Sequence, residues 1–227
     1  MYTLLIANKN YSSWSLRPWV LMKTLGIAFE ERQIPFPGGD SVPTYKPISP
    51  SGRVPCLVDD GWAVWDSLAI VEYLAERHQG VWAGDAKARA WSRSAAAEMH
   101  SSFQALRNMC GMSCGLRVRL HERPRPLLRN MDRIGELWSD GLRRFGGPFL
   151  AGEGFTAVDA FFAPVAFRAQ SFDLDFGHET AAYVDRLLTL PAMREWYEAA
   201  LAEPWREKGH EDEILEHGAV VQDLRRG

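Results

Sequence analysis

The sequence changes character once, near residues 81–85, and that break restricts the fold more than any other feature. Upstream of it, short apolar runs alternate with segments of helical periodicity. Downstream, strand signals stop and only helical patterns continue. Residues 2–7 read as a strand and 16–25 as a helix, with Gly26 placed just past its end. Residues 29–34 read as a second strand, followed by a Gly- and Pro-rich loop over 35–50. A strand starts at Val54-Pro55, Asp59-Asp60-Gly61 is a hairpin signal, and 62–65 is the partner strand. Asp66-Ser67 then opens a helix with Leu68, Val71, Leu74 and Ala75 on one face. The order β-α-β-loop-β-β-α predicts a parallel crossover followed by an antiparallel hairpin.

After the break, residues 87–114 form one long helical pattern and 125–145 another. Thr156 to Asp159 matches a capping box ahead of the apolar run 160–167. Two more helical segments lie near 179–188 and 192–202, and the last twenty residues are charged and only weakly periodic. The expected fold class is α/β followed by all-α, with boundaries at 1–80 and 86–227.

Totals remove several functions. With 26 Lys+Arg against 29 Asp+Glu the net charge is −3, which gives no electrostatic case for nucleic acid or an acidic membrane. No apolar run approaches the roughly 18 residues that span a bilayer. The start lacks the basic region and cleavage site of a signal peptide. Three cysteines, Cys56, Cys110 and Cys114, are too few for a secreted disulfide framework, so a cytoplasmic location is expected. Six histidines show no ligand spacing and Cys110 and Cys114 have no further ligands nearby, so no metal is expected.

Three places carry candidate chemistry. Ser12, Ser13 and Ser15 sit where the first strand hands over to a helix N-terminus, whose free N–H groups and partial positive charge favour anions. Hydroxyls there either cap the helix or bind an anion. Val54-Pro55 opens a strand; a cis bond would present the backbone of Val54 to an extended peptide, whereas a trans proline at a strand start needs no ligand. Asp66 and Ser67 at the next helix start either cap it or offer a hydroxyl, an N–H and a carboxylate to an amino-acid head group.

SSWSLRPW after the first strand, GRVPCL at the proline, WDSLAIVEYL at the later helix and TAVDAFFAP in the second half, in this order, resemble the cytosolic glutathione transferases over nearly the whole chain. The paired serines look most like the zeta class and its bacterial relatives. The resemblance implies a thioredoxin-like glutathione-binding domain over 1–80 and an all-helical domain over 86–227 that supplies the electrophile site. It implies a homodimer with glutathione as cosubstrate and a small electrophile as second substrate. It makes Ser12 or Ser13 the hydroxyl that hydrogen-bonds the glutathione thiolate, with Ser15 beside them. Val54 next to a cis Pro55 would pair with the cysteinyl part, Asp66 and Ser67 would hold the γ-glutamyl head, and Lys46 and Arg53 would reach the glycyl carboxylate.

Trp14, Met112 and Arg168 are the candidates for the electrophile pocket; Trp19 and Phe167 compete for the same role, although such residues more often fill cores. The chain departs from zeta isomerases at two positions: Trp14 stands where they carry a cysteine, and Ser171 where they carry an arginine, with Arg168 one turn earlier. The primary expectation is therefore a transferase of detoxification type. A glutathione-dependent cis-trans isomerase acting on maleylacetoacetate is the alternative, and a non-catalytic glutathione-binding protein the third reading. A run of arginines at 117, 119, 123, 125, 129 and 133 reads either as a solvated basic face or as an attractor of acidic substrates.

Overall fold

A computed structural model describes residues 1–226. The first sheet is built around its most apolar strand. β1 (Tyr2–Ile6) lies between β2 (Phe29–Gln33), which it pairs in parallel, and β3 (Cys56–Asp59), which it pairs antiparallel; β4 (Trp62–Val64) closes the order β2-β1-β3-β4. Leu4, Leu5 and Ile6 are buried, as a central strand covered on both faces requires. β2, with the sequence FEERQ, occupies an edge, where exposed charges oppose pairing with another chain. α1 (Ser13–Thr24) makes the β1–β2 crossover, and α2 (Val42–Tyr45) is a short turn in the loop before β3. α3 (Ser67–Ala75) is capped by Asp66, whose carboxylate accepts from the Leu68 N–H at 2.9 Å.

The second half packs around one helix. α4 (Ala86–Ser101), α5 (Gln104–Met109), α6 (Arg125–Phe145), α7 (Ala157–Phe172), α8 (His178–Thr189), α9 (Pro191–Ala202) and α10 (Lys208–His217) follow in order. Nearly every residue of α7 is buried, so it is the axis of this half, and it packs directly on α1. Its start is the expected capping box, with Thr156 and Asp159 satisfying each other's orphan groups. No helix among the described residues is long and apolar enough to cross a membrane.

Three expectations need correction. The helical pattern over 87–114 is not one helix. It breaks at Phe103, which takes φ 64°, and α5 ends at Met109. Strands also do not end at residue 85: β5 (Leu116–Leu120) pairs antiparallel with β6 (Gly218–Asp223). The charged C-terminal segment, left unassigned by its weak periodicity, forms α10 and β6. Local pattern misses such a tail because its order comes from pairing across a hundred residues. At Gly218 an added Cβ would lie 2.5 Å from a side-chain carbon of Val118, so the ribbon closes only over a glycine. The ribbon ties down the chain after α10 and holds that helix beside the start of α1.

Candidate functional site

The turn after β1 brings the first serines to the surface of a cleft of about 300 Å³. Tyr11 and Ser12 come from the β1–α1 connection, Ser13 and Trp14 from the first turn of α1, Arg53 and Val54 from the loop before β3, Arg107 and Met112 from the α5 region, Arg168 from α7 and His210 from α10. The three serines have different local roles. Ser12 Oγ donates to Ser15 Oγ at 2.7 Å, and Ser15 Oγ also accepts from the Ala7 N–H at 3.3 Å. Ser15 is fully buried and ties the strand end to the helix start rather than lining the cleft. Ser13, the first helical residue, lines the cleft and makes no side-chain hydrogen bond among the described residues. Its hydroxyl is free to donate to an anion at the helix N-terminus.

A second recess of about 360 Å³ adjoins the first, with Trp14, Arg53 and Val54 common to both. Pro55, Asp66, Ser67 and His100 line it. The Val54–Pro55 peptide is cis. Val54 precedes the first registered pair of β3, which starts at Cys56, so its backbone edge stands outside the ladder. Ser67 is fully buried, and its Oγ has no hydrogen-bond partner. Asp66 is exposed; one oxygen caps α3 and the other lies 3.4 Å from His100 Nε2. His100 Nδ1 is buried and unpartnered. Burial pushes the His100 imidazole down, Asp66 opposes this, and Arg17 and Arg107 push it down further.

Trp14 sits among cations. The guanidinium of Arg17 lies 4.1 Å from its ring centroid and that of Arg107 4.7 Å, while His100 meets it edge-on. Arg17 is fully buried, and all three of its guanidinium nitrogens lack hydrogen-bond partners. Arg168, also buried, donates through Nε to the Cys110 carbonyl at 2.8 Å and through Nη1 to the Pro164 carbonyl at 3.3 Å. Arg107 donates through Nε to the Ser102 carbonyl at 2.9 Å and through Nη2 to the Met99 carbonyl. Burial lowers all three guanidinium groups, Arg107 and Arg168 each to about 10, so both stay charged at neutral pH. Two guanidinium groups lie against one indole, and Arg107, Arg168 and Arg53 line the first cleft with Glu213 as its exposed carboxylate, so cations outnumber anions there.

The geometry thus gathers Ser12, Ser13, Trp14, Arg53, Val54, Met112 and Arg168 in the first cleft, and Pro55, Asp66 and Ser67 in the second. Lys46 lies outside both; its Nζ donates to the Pro50 carbonyl at 2.6 Å. Trp19 and Phe167 are core. Trp19 Nε1 donates to Glu31 at 2.6 Å, and Phe167 stacks on Tyr197. The arginines of 117–133 line neither cleft; Arg133 pairs with Glu98 and Glu136, and Arg123 donates to the Asp173 carbonyl. Cys110 and Cys114 are free and buried, the Cys110 thiol pushed up to about 12 by burial. Sequence reading missed Arg17, Arg107, His100 and His210. Arg17 carried a usable signal, a lone cation inside an otherwise apolar helix; the other three join the site only through tertiary packing.

Comparison with known proteins gives the family. Residues 11–77 match the family model for the glutathione S-transferase N-terminal domain, and residues 89–199 that for the C-terminal domain. A "Probable maleylacetoacetate isomerase" of Vibrio cholerae is 26% identical over 204 residues, 85% of this chain and 94% of its own length. A "Glutathione S-transferase zeta class" protein of Euphorbia esula is 27% identical over 157 residues, 67% of this chain and 70% of its own length. Among solved structures, a glutathione transferase homolog from Burkholderia with bound glutathione superposes with a TM-score of 0.64 at 21% identity, over 88% of this chain and 97% of the other. The chain, with its thioredoxin-like N-terminal domain and helical C-terminal domain, belongs to the glutathione S-transferase family and is zeta-like within it.

Proposed function

We propose that this protein transfers glutathione to an acidic electrophile, with the Ser13 hydroxyl stabilising the thiolate. The observation that carries the reading is the uncommitted Ser13 hydroxyl at the start of α1, inside a cleft shared with Val54. Its sister Ser12 already donates its hydroxyl hydrogen bond to Ser15. Tyr11 is no substitute, because its O–H is given to Glu211 at 2.6 Å. Glutathione would lie with its cysteinyl backbone along Val54 and its γ-glutamyl head toward Asp66 and the unpartnered Ser67, leaving Arg53 for the glycyl carboxylate.

Magnitudes decide whether a serine suffices. A free thiol titrates near 8.5, and bringing it below about 6.5 requires roughly 2.7 kcal/mol of preference for the thiolate. A helix N-terminus contributes about 0.3–1 kcal/mol, at most about 2. One hydrogen bond to a charged acceptor adds about 1.5–3 kcal/mol. The dipole alone falls short, and dipole and hydroxyl together reach the requirement. The serine stays protonated throughout; the nucleophile is the cosubstrate's sulfur.

The arginines select the second substrate. Arg107 and Arg168 each donate to backbone carbonyls through two nitrogens, which fixes both guanidinium groups where they line the cleft. A carboxylate on the electrophile would meet both. The same feature supports the isomerase reading, since the relatives named maleylacetoacetate isomerase match most of the chain. We assign residues 1–80 to glutathione and 86–227 to the electrophile, and expect a cytoplasmic homodimer. The test is turnover of three substrates with glutathione: a neutral aryl halide, an aryl halide bearing a carboxylate, and a maleyl cis-dicarboxylate. Preference for the carboxylated halide supports the transferase, and exclusive turnover of the cis-dicarboxylate the isomerase. Glutathione binding without turnover of any of them refutes both.

A further inference from the structure

Serine activation leaves one atom unplaced. Ionising the glutathione thiol releases a proton, and a serine hydroxyl that donates to the sulfur cannot keep it. The other titratable groups lining this cleft are Tyr11, Tyr45, Arg53, Arg107, Arg168, His210 and Glu213. Tyr45 donates to the Ile34 carbonyl at 3.0 Å, and the imidazole of the adjoining recess, His100, faces Asp66 through Nε2 at 3.4 Å. The arginines are already protonated. Tyr11 is committed, donating to Glu211 while its oxygen accepts from Arg225 Nη1 at 3.1 Å. Glu213 is exposed, and a carboxylate is a far weaker base than a thiolate. His210 is left, and imidazole is the side chain whose ordinary titration falls between pH 5 and 8.

The surroundings of His210 are those of a positioned base. Its ring stacks on Phe36 at 5.1 Å between centroids and lies 5.4 Å from Tyr11. Its Nδ1 is 2.5 Å from Oε2 of Glu207, and the same oxygen accepts the His210 backbone N–H at 2.6 Å, so one carboxylate both caps α10 and holds the ring. Burial alone would raise the Glu207 carboxyl; the two hydrogen bonds from His210 outweigh it and hold the group below its ordinary value. An ionised Glu207 fixes the proton on Nδ1 and leaves Nε2 as an acceptor. Among the described residues Nε2 has no hydrogen-bond partner, and the side chain is 36% exposed at the cleft. The opposing charges are Glu211 on the same helix, engaged by Tyr11 and Arg225, with Arg206 3.7 Å from it, and the cleft cations Arg53, Arg107 and Arg168.

We propose that His210, oriented by Glu207, is the base that accepts the glutathione thiol proton. This rests on the glutathione reading above. The S–H bond breaks, its electron pair stays on sulfur, and the proton moves to Nε2, giving an imidazolium held by Glu207. When the thiolate adds to an activated double bond, the C–S bond forms and the resulting carbanion takes the proton back. When it displaces a halide, the halide leaves and the proton passes to water through the exposed ring edge.

The experiment is calorimetry of glutathione binding in buffers of different ionisation enthalpy, combined with ultraviolet absorbance of the bound thiolate. It yields protons released to buffer per thiolate formed. Wild-type protein should release well under one, and His210→Gln about one, with the glutathione Kd changed less than about threefold. Glu207→Gln should move the ratio toward that of His210→Gln. A ratio of one in the wild-type protein overturns the proposal without any variant, as does an equal ratio in wild type and His210→Gln. An absence of binding heat in the wild-type protein instead overturns the glutathione reading itself.

Discussion

Two buried polar clusters in this protein look alike in composition and behave in opposite ways. Around Asp159 at the start of α7, every group is paired. Its carboxylate accepts from the Leu150 N–H at 3.0 Å, the Thr156 N–H at 2.9 Å and the Tyr183 hydroxyl at 2.9 Å. Around Trp14 the accounts stay open: the three guanidinium nitrogens of Arg17, Ser67 Oγ and His100 Nδ1 have no partner. Buried polar groups are normally satisfied, because leaving one unpaired costs about 1–3 kcal/mol. The first cluster is complete in the protein alone and belongs to folding. The second lies beside the α1 start, where Ser13 makes no side-chain hydrogen bond among the described residues, and it is where the proposed glutathione site would find its polar contacts.

The contrast can be broken from either side. The largest effect is expected at the closed cluster. Asp159→Ala strands two buried N–H donors and a buried hydroxyl, so urea unfolding should show a loss of about 3 kcal/mol or more. The glutathione affinity of the remaining folded protein should not change. Next comes the cleft wall. Arg107→Leu should raise KM about 10- to 100-fold for a carboxylated electrophile, the equivalent of one charge-assisted hydrogen bond, and leave KM for a neutral aryl halide unchanged. Smaller again, Ser67→Ala should weaken glutathione binding about tenfold by calorimetry without lowering stability, because its hydroxyl has no partner to lose. The smallest effect, and the sharpest in sign, is expected for Arg17→Met. Replacing a buried cation that has ring contacts but no hydrogen-bond partner with an apolar chain of similar length should leave the unfolding midpoint unchanged or raise it. A large loss at Arg17 would mean that the open cluster is structural after all.

The sequence made the closed cluster plain and the open one only half so. Thr156-x-x-Asp159 is a local signal, read from four consecutive residues. The strands β1 to β4, the helices α1, α3 and α6 to α9, and the serines, Val54 and Asp66-Ser67 were equally local. They are set by periodicity of 2 or 3.6 and by turn chemistry. Most of what escaped depends on distant partners. β5 and β6 pair residues 116–120 with 218–223; β5, LRVRL, alternates strictly and carried a period-two signal that the reading of its arginines as part of a charge run passed over, whereas β6, GAVVQD, does not alternate. His210 reaches the cleft through contacts of α10 with that ribbon and with α5, and through the Tyr11 hydroxyl that donates to Glu211. Arg107 and His100 look like ordinary helix-surface residues until α4 packs on α7 and α5 on α6, which brings both side chains against Trp14. Conversely, Arg117 to Arg133 formed the most conspicuous charge run and lies away from the cleft, since charge in a helical pattern marks solvent as readily as substrate.

All of the chemistry turns on whether a serine hydroxyl at the α1 start keeps a bound thiol ionised. The direct measurement is an ultraviolet titration of glutathione on the wild-type protein and on Ser13→Ala. The wild-type thiol should titrate below about 6.5, and the variant should move it up by one to two pH units, the equivalent of about 1.5–3 kcal/mol, while still binding the tripeptide. Superimposable titrations of the two proteins would contradict the assignment of Ser13 and, with it, the account of the cleft.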